Sequence, residues 1–202
     1  VLAKYKAHLE QGKSVRSIDI EVKEKEHVAD LMLLTDKPIM YVCNVDELSI
    51  KNGNPHVDRV KKNVKDEDAS VLMIAASTEA DITELDSYEE RQMFLEDMGL
   101  EEPGVSKLIS SAYQLLNLST YFTAGVKEVR AWTIKDGMKA PQAAGVIHTD
   151  FEKGFIRAEV IKYKDFVELG SELACKENGK MSVEGKDYVV ADGDIMHFRF
   201  NT

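Results

Sequence analysis

Two uninterrupted apolar runs of strand length, Ile39-Met40-Tyr41-Val42-Cys43 and Ser70-Val71-Leu72-Met73-Ile74-Ala75-Ala76, stand on either side of one charged helical stretch. Runs of this kind fit strands covered on both faces, the usual state of a parallel sheet. The connection opens on the turn cluster Lys51-Asn52-Gly53-Asn54-Pro55 and continues through Val57, Val60 and Val64 at helical spacing. Strand, helix and strand in this order predict two parallel neighbours in an α/β layer. In such sheets ligands bind outside the carboxyl ends of the strands. Two loops are expected there, Asn44-Val45-Asp46-Glu47 and Ala75-Ala76-Ser77-Thr78-Glu79.

The flanks read as helices. Val1–Gln11 carries Leu2, Tyr5 and Leu9 on one side, and Gly12 suits its end. Glu24–Leu34 is predicted as a second helix, broken by Asp36-Lys37-Pro38. Ser87-Tyr88-Glu89-Glu90 is a capping box opening a helix that stops at Gly99, and a further helix is predicted over roughly Val105–Leu118. Beyond it the elements shorten. Glu128–Ile134 and Phe155–Ile161 read as strands, Pro141 suits a first helical turn, and Ile195–Phe200 alternates as a half-solvated strand after the Asp192-Gly193-Asp194 turn. This mixture predicts an α+β roll, with a boundary near Leu118–Ser119.

Charge separates the two parts. The net charge of −10 is carried almost entirely by residues 1–119, at −9, against −1 for residues 120–202. An acidic first part should avoid phosphate backbones, which leaves only the second part able to present a local basic face. No apolar run approaches the about 18 residues of a membrane span. Cys43 and Cys175 are too few and too separated for a disulfide framework or a Cys-x-x-Cys metal site, and are expected as reduced thiols. The start, Val1-Leu2-Ala3-Lys4, has no initiator Met or signal-peptide layout and is expected to lie inside a longer reading frame.

The stretch Ala140-Pro141-Gln142-Ala143-Ala144-Gly145-Val146-Ile147-His148-Thr149-Asp150-Phe151-Glu152-Lys153-Gly154 extends in both directions into a longer pattern. It includes Tyr121-Phe122-Thr123-Ala124-Gly125, Lys127 to Ile134, Glu184-Gly185-Lys186-Asp187-Tyr188 and Asp192-Gly193-Asp194-Ile195. From Thr120 to Thr202 this resembles the TGS domain, a ubiquitin-like β-grasp module, that closes the YchF-type (Obg-like) ATPases. The resemblance implies three parts: a helical remnant of a coiled-coil insertion (1–34), the carboxyl-terminal part of a Rossmann-like P-loop NTPase domain (35–118), and a TGS domain (119–202). It implies cytoplasmic, ribosome-associated ATP hydrolysis with Mg²⁺ in the complete protein, relaxed or weak GTP use, and contact with the large ribosomal subunit or rRNA through the TGS domain. The P-loop, the switch segments, a catalytic His and the Mg²⁺ ligands of the family lie before this chain begins. No catalytic or metal-ligating residue is therefore assigned here, and neither a membrane nor a DNA sequence is expected as a partner.

In GTP-binding proteins the first rim loop holds Asn-Lys-x-Asp, whose Asp accepts two hydrogen bonds from guanine, and the second holds Ser-Ala-Lys. Here Val45 replaces the first Lys, Glu47 the Asp and Ser77 the second Lys. The extra methylene of Glu47 displaces its carboxylate by more than a hydrogen bond tolerates. Adenine offers an amine and a ring acceptor where guanine offers a carbonyl and a ring donor, so these departures disfavour strict guanine reading. The variant resembles the YchF loop, whose family prefers ATP. The base-binding candidates are Asn44 for the base edge, Val45 for apolar contact, Glu47 as a weaker polar contact, and Ala75, Ala76 and Ser77 as the floor.

Other motifs carry less. Gly12-Lys13-Ser14 mimics the end of a P-loop, but Ala7 stands where the leading Gly belongs and a helix precedes it. The five His residues lack metal-ligand spacing, His148-Thr149-Asp150 reads as a local turn, and Asp192-Gly193-Asp194 lacks the remaining ligands of a calcium loop. Lys127, Arg130, Lys135, Lys139, Lys153 and Arg157, with Trp132 and Phe155 among them, form a candidate RNA-facing set. Two other readings accept the same residues: a non-catalytic ribosome- or RNA-binding β-grasp module, and a stand-alone α/β scaffold.

Overall fold

The computed structural model describes residues 1–67, 69–125 and 128–201, and the contacts divide the chain into two units at Leu115/Leu116. In the first, α1 (Leu2–Glu10) buries Tyr5 against Val15 and Val28. Gly12, at φ +73°, then turns the chain into a 3-10 turn over Val15–Ser17. The decoy Gly12-Lys13-Ser14 thus joins a helix to a turn, without the strand–loop–helix setting of a phosphate cradle.

The helix expected over Glu24–Leu34 does not form. The chain makes the short α2 (Val22–Glu26), a 3-10 turn over Ala29–Leu31, and a left-handed Met32 at φ +46°. Breaking the helix lets Val28 reach the pocket made by Tyr5 and Val15, with Leu33 packed beside it, while Met32 and Leu34 stay exposed. Tertiary packing overrides a helical pattern that had no partner for its apolar stripe. Arg16 ties this segment to the base of the sheet. Its Nε–H donates to the Lys37 carbonyl at 3.0 Å and its guanidinium lies 3.5 Å from Glu67, which accepts from the Tyr41 hydroxyl at 2.8 Å.

The two apolar runs are the parallel strands β1 (Met40–Asn44) and β2 (Ser70–Ile74), in register from Met40↔Ser70 to Asn44↔Ile74. Helix α3 (Pro55–Asn63) crosses between them, capped by Asn54, whose Oδ1 accepts from the His56 and Val57 amides. The strands are less covered than their composition predicts: β1 and β2 are half-buried and Val42 is 41% exposed. A two-stranded sheet has too few neighbours to enclose both faces, whatever its side chains. Asn44 is still strand, not loop, and the expected loop at Ala75–Glu79 is a helix, α4 (Ala76–Glu84). Its N-cap is Ala75, with no side-chain cap to announce it.

Ser87 and Glu90 complete the expected capping box of α5 (Tyr88–Met98), which ends on Gly99 at φ +59°. Helix α6 (Gly104–Leu115) stops short of the predicted Leu118, which is already the first residue of a strand.

In the second unit, β3 (Leu118–Ala124), β4 (Val129–Lys135), β5 (Phe155–Lys162), β6 (Met181–Glu184) and β7 (Asp194–Phe200) make one sheet in the order β4-β3-β7-β5-β6. Pairing is antiparallel except between β3 and β7. Helices α7 (Ala140–Ile147) and α8 (Thr149–Lys153) follow β4, and α9 (Tyr163–Leu169) and α10 (Glu172–Glu177) follow β5. Inward residues of β3, β5 and β7 (Tyr121, Phe155, Ala158, Val160, Met196, Phe198) close on Ala140, Ala143 and Ala144 of α7. The small residues let the helix approach closely, and the Tyr121 hydroxyl donates to the Ala143 carbonyl at 3.0 Å. β7 alternates as its sequence predicts, Met196 and Phe198 in, His197 and Arg199 out. Nothing in the sequence pattern announces strands β3 and β6 or helices α9 and α10, and His148-Thr149-Asp150, expected as a local turn, instead caps and opens helix α8.

Candidate functional site

At the carboxyl rim of β1 and β2 two bonds stitch the following segments together. Asn44 Oδ1 accepts from the Ala76 amide at 3.0 Å, and the Val45 amide donates to the Ile74 carbonyl at 2.8 Å. With its oxygen held by the Ala76 amide, the exposed Asn44 side chain turns its N–H₂ donors away from Ala76, and the oxygen keeps a second lone pair. Asp46 accepts from the Ser49 amide at 2.9 Å and starts a 3-10 turn over Glu47–Ser49, which places the Glu47 carboxylate in solvent.

The six sequence-selected residues therefore gather at one rim but differ in availability. Asn44, Glu47, Ala76 and Ser77 are exposed, while Ala75 and Val45 are buried. Val45 lines a cavity of about 410 Å³ along β1, with Tyr41, Cys43, Asn54, Val57 and Val60. One detail of the expected floor changes: the Ala76 N–H is already used by Asn44. The remaining first-turn amides of α4, Ser77 among them, have no acceptor within the helix.

A residue that was not singled out shapes the same rim. Glu79, only 8% exposed, accepts from the Gly104 amide at 2.7 Å and the Val105 amide at 3.1 Å. A carboxylate capping a helix 25 residues away leaves no local sequence signature.

In the second unit the remaining chemistry is structural. Asp194, fully buried, accepts from Lys162 Nζ at 2.6 Å, from the Tyr188 hydroxyl at 2.6 Å and from the Ala191 amide at 2.9 Å. Burial pulls the Lys162 ammonium down, but its bonds to Asp194 and Tyr188 outweigh that and leave it above the usual lysine range. Burial, followed by the bond to Asp194, raises the Tyr188 phenol. Asp192 accepts from the Thr120 amide at 2.7 Å, so both carboxylates of the Asp-Gly-Asp turn have protein partners. His148 caps α8 by accepting from the Asp150 amide at 3.2 Å.

The basic set divides among different elements. Lys127 lies outside the described residues. Arg130 stacks 4.1 Å over Trp132, on the opposite side of β4 from Lys135. Lys139 pairs with Asp187 at 2.7 Å, Lys153 ends α8, and Arg157 sits on β5 directly across from Arg199. Phe155 is core, 4% exposed, and cannot stack on a base. Among the described residues no helix is long and apolar enough to cross a membrane.

Comparison with known proteins places these features in a family. Residues 118–201 match the YchF-GTPase_C family model, described as a protein of unknown function (DUF933). The chain is 52% identical over 201 residues to the ribosome-binding ATPase YchF of Haemophilus influenzae, matching 100% of this chain and 55% of that protein. It is 49% identical over 203 residues to the Bacillus subtilis protein of the same name, with the same coverage of each. The Schizosaccharomyces pombe YchF GTPase superposes with a TM-score of 0.82 at 36% identity, over 96% of this chain and 52% of that one. A GTP-binding protein from Pyrococcus horikoshii shares the fold at 17% identity, with a TM-score of 0.58. Residues 118–201 thus form a YchF carboxyl-terminal domain, the whole chain is similar to YchF proteins from end to end, and it spans about half the length of the curated relatives it matches.

Proposed function

We propose that this chain is the carboxyl-terminal portion of a cytoplasmic, ribosome-associated P-loop NTPase, in which it supplies the base-reading side of an adenine-nucleotide site and a TGS module. The observation that carries the reading is the Asn44–Ala76 bond across adjacent parallel strand ends. It brings both candidate loops to one rim and fixes the Asn44 amide with its donors outward. A purine ring nitrogen accepts from such a donor. The exposed Glu47 carboxylate suits the exocyclic amine of adenine and disfavours the carbonyl of guanine. The half-covered β1–β2 pair and the cavity beside β1 support its membership of a larger sheet, as does the relatives' greater length.

For residues 116–201 the strand order β4-β3-β7-β5-β6, with the first and last strands parallel at its centre and α7 across one face, supports the β-grasp assignment. Ribosome contact is carried over from the relatives named as ribosome-binding ATPases. The phosphate cradle and the Mg²⁺ ligands are assigned to the part of such a protein outside these residues. When bound, that metal neutralises phosphate charge, and phosphoryl transfer depends on it and on the cradle. This polypeptide alone is therefore expected to hydrolyse no nucleotide at saturating ATP and Mg²⁺.

The test is Asn44→Ala in the complete reading frame. Loss of one ligand hydrogen bond should weaken ATP binding about tenfold by calorimetry. Unchanged affinity would remove the base-reading assignment and leave the non-catalytic module as the better reading.

A further inference from the structure

We propose that Glu79 is a positioning residue for base recognition, holding the Ala75–Ser77 end of the rim in place from within the fold; this rests on the base-reading assignment to Asn44 and its neighbours. Glu79 lies in the first turns of α4, three residues beyond Ala76, and is buried. Its carboxylate takes the Gly104 amide on Oε1 at 2.7 Å and the Val105 amide on Oε2 at 3.1 Å. The opening amides of a helix have no internal acceptor and carry partial positive charge, so α6 grips a carboxylate there firmly. The seat is tight. A Cβ at Gly104 would stand 2.8 Å from Glu79 Oε1 and 3.2 Å from Ile74 Cγ2, beside the last residue of β2.

Helix α4 is thus held twice within its opening turns. On one side Glu79 anchors it to α6, and on the other its Ala76 amide holds Asn44 Oδ1. The second bond decides which way the Asn44 amide faces. An amide free to flip can present either its oxygen or its N–H₂ group outward, whereas one with its oxygen tethered keeps the N–H₂ donors facing away from the tether. Loosening Glu79 lets the first turn of α4 shift, frees the Asn44 amide and degrades contact with the base. It leaves phosphate binding alone, because phosphate is gripped by other parts of the protein. Glu79→Gln keeps the size but sets an N–H₂ group against the Gly104 or Val105 amide. Gly104→Ala keeps the carboxylate and displaces it from the other side.

The experiment measures affinity for ATP and for inorganic tripolyphosphate, each with Mg²⁺, in the complete reading frame carrying Glu79→Gln, Gly104→Ala or Asn44→Ala. The first two substitutions are expected to weaken ATP about tenfold and to leave tripolyphosphate within about twofold. A scaffold residue would weaken both ligands together, and that result overturns the proposal. So does unchanged ATP affinity in both variants while Asn44→Ala weakens it. If Asn44→Ala itself leaves ATP unaffected, the underlying base-reading assignment fails, and the positioning role falls with it. Should Glu79→Gln not fold, Gly104→Ala decides alone; loss of the fold in both would make Glu79 a stability element and end the proposal.

Discussion

The two units of this chain use similar proportions of apolar residues to different effect. Residues 116–201 close a five-stranded sheet on α7 and bury a continuous core from Tyr121 to Phe198. Residues 1–115 carry their most apolar segments on a two-stranded sheet whose strands remain half-exposed, with a separate small cluster around Tyr5, Val15 and Val28. Burial follows from the number of neighbouring strands and helices, not from the hydrophobicity of the strand itself. An apolar strand without enough neighbours keeps a face that further sheet or helices could cover.

The strongest way to break this comparison is to separate the units. Residues 116–202 expressed alone should unfold cooperatively with a stability of about 5 kcal/mol or more, within the usual range for a small domain. Residues 1–115 alone should lack a sharp transition in thermal circular dichroism. A cooperative melt from the first unit would show that its half-covered sheet is complete as it stands. Single substitutions sharpen the same point. Phe198→Ala, at a site 8% exposed, should cost the second unit about 3–5 kcal/mol in denaturant titration. Val42→Thr, at 41% exposure, should leave the thermal circular dichroism profile of the first unit unaltered.

A smaller effect comes from alkali. Burial pushes the Tyr121 phenol well above its ordinary value of 10.0. A raised folded value means that the native state holds this proton more tightly than the unfolded chain does. The stabilisation is full below about pH 10 and is lost as pH climbs from there toward the folded value. Tyr121→Phe should flatten the pH dependence of the second unit's stability above pH 10. A profile unchanged by that substitution would assign the alkaline loss to Tyr188 and Lys162 instead. The smallest expected change is at the surface. Reversing the charge of Arg130 and Lys139 should weaken co-sedimentation with ribosomes in a salt-dependent way, by about one counterion per lost phosphate contact. Unaltered pelleting would remove Arg130 and Lys139, which already have Trp132 and Asp187 as partners, from the proposed ribosome contact.

Local chemistry was the most legible part. Asn54 before Pro55, Ser87 with Glu90, and Gly99 in a left-handed turn mark helix ends because each acts within a few residues of itself. The parallel pairing of β1 and β2 followed from two apolar runs and one crossover. Illegible were α4, which lacks a side-chain N-cap, and the broken segment after Glu26, where Val28 is drawn to Tyr5 and Val15. Of the candidate rim, the residue types could be read directly. The engagement of the Ala76 amide by Asn44 and the hold of Glu79 on α6 could not, since both join residues far apart in the chain.

The amino-acid order alone therefore determined the helix ends at Gly12 and Gly99, the parallel crossover, the acidic-to-neutral change along the chain and a family resemblance, all of which depend on neighbours in sequence or on composition. Tertiary structure decided which apolar residues are covered, which basic residues share a surface, and which atoms of the rim are left to meet a ligand. These depend on how many elements pack around each position and on hydrogen bonds closed through space, and no local pattern encodes either.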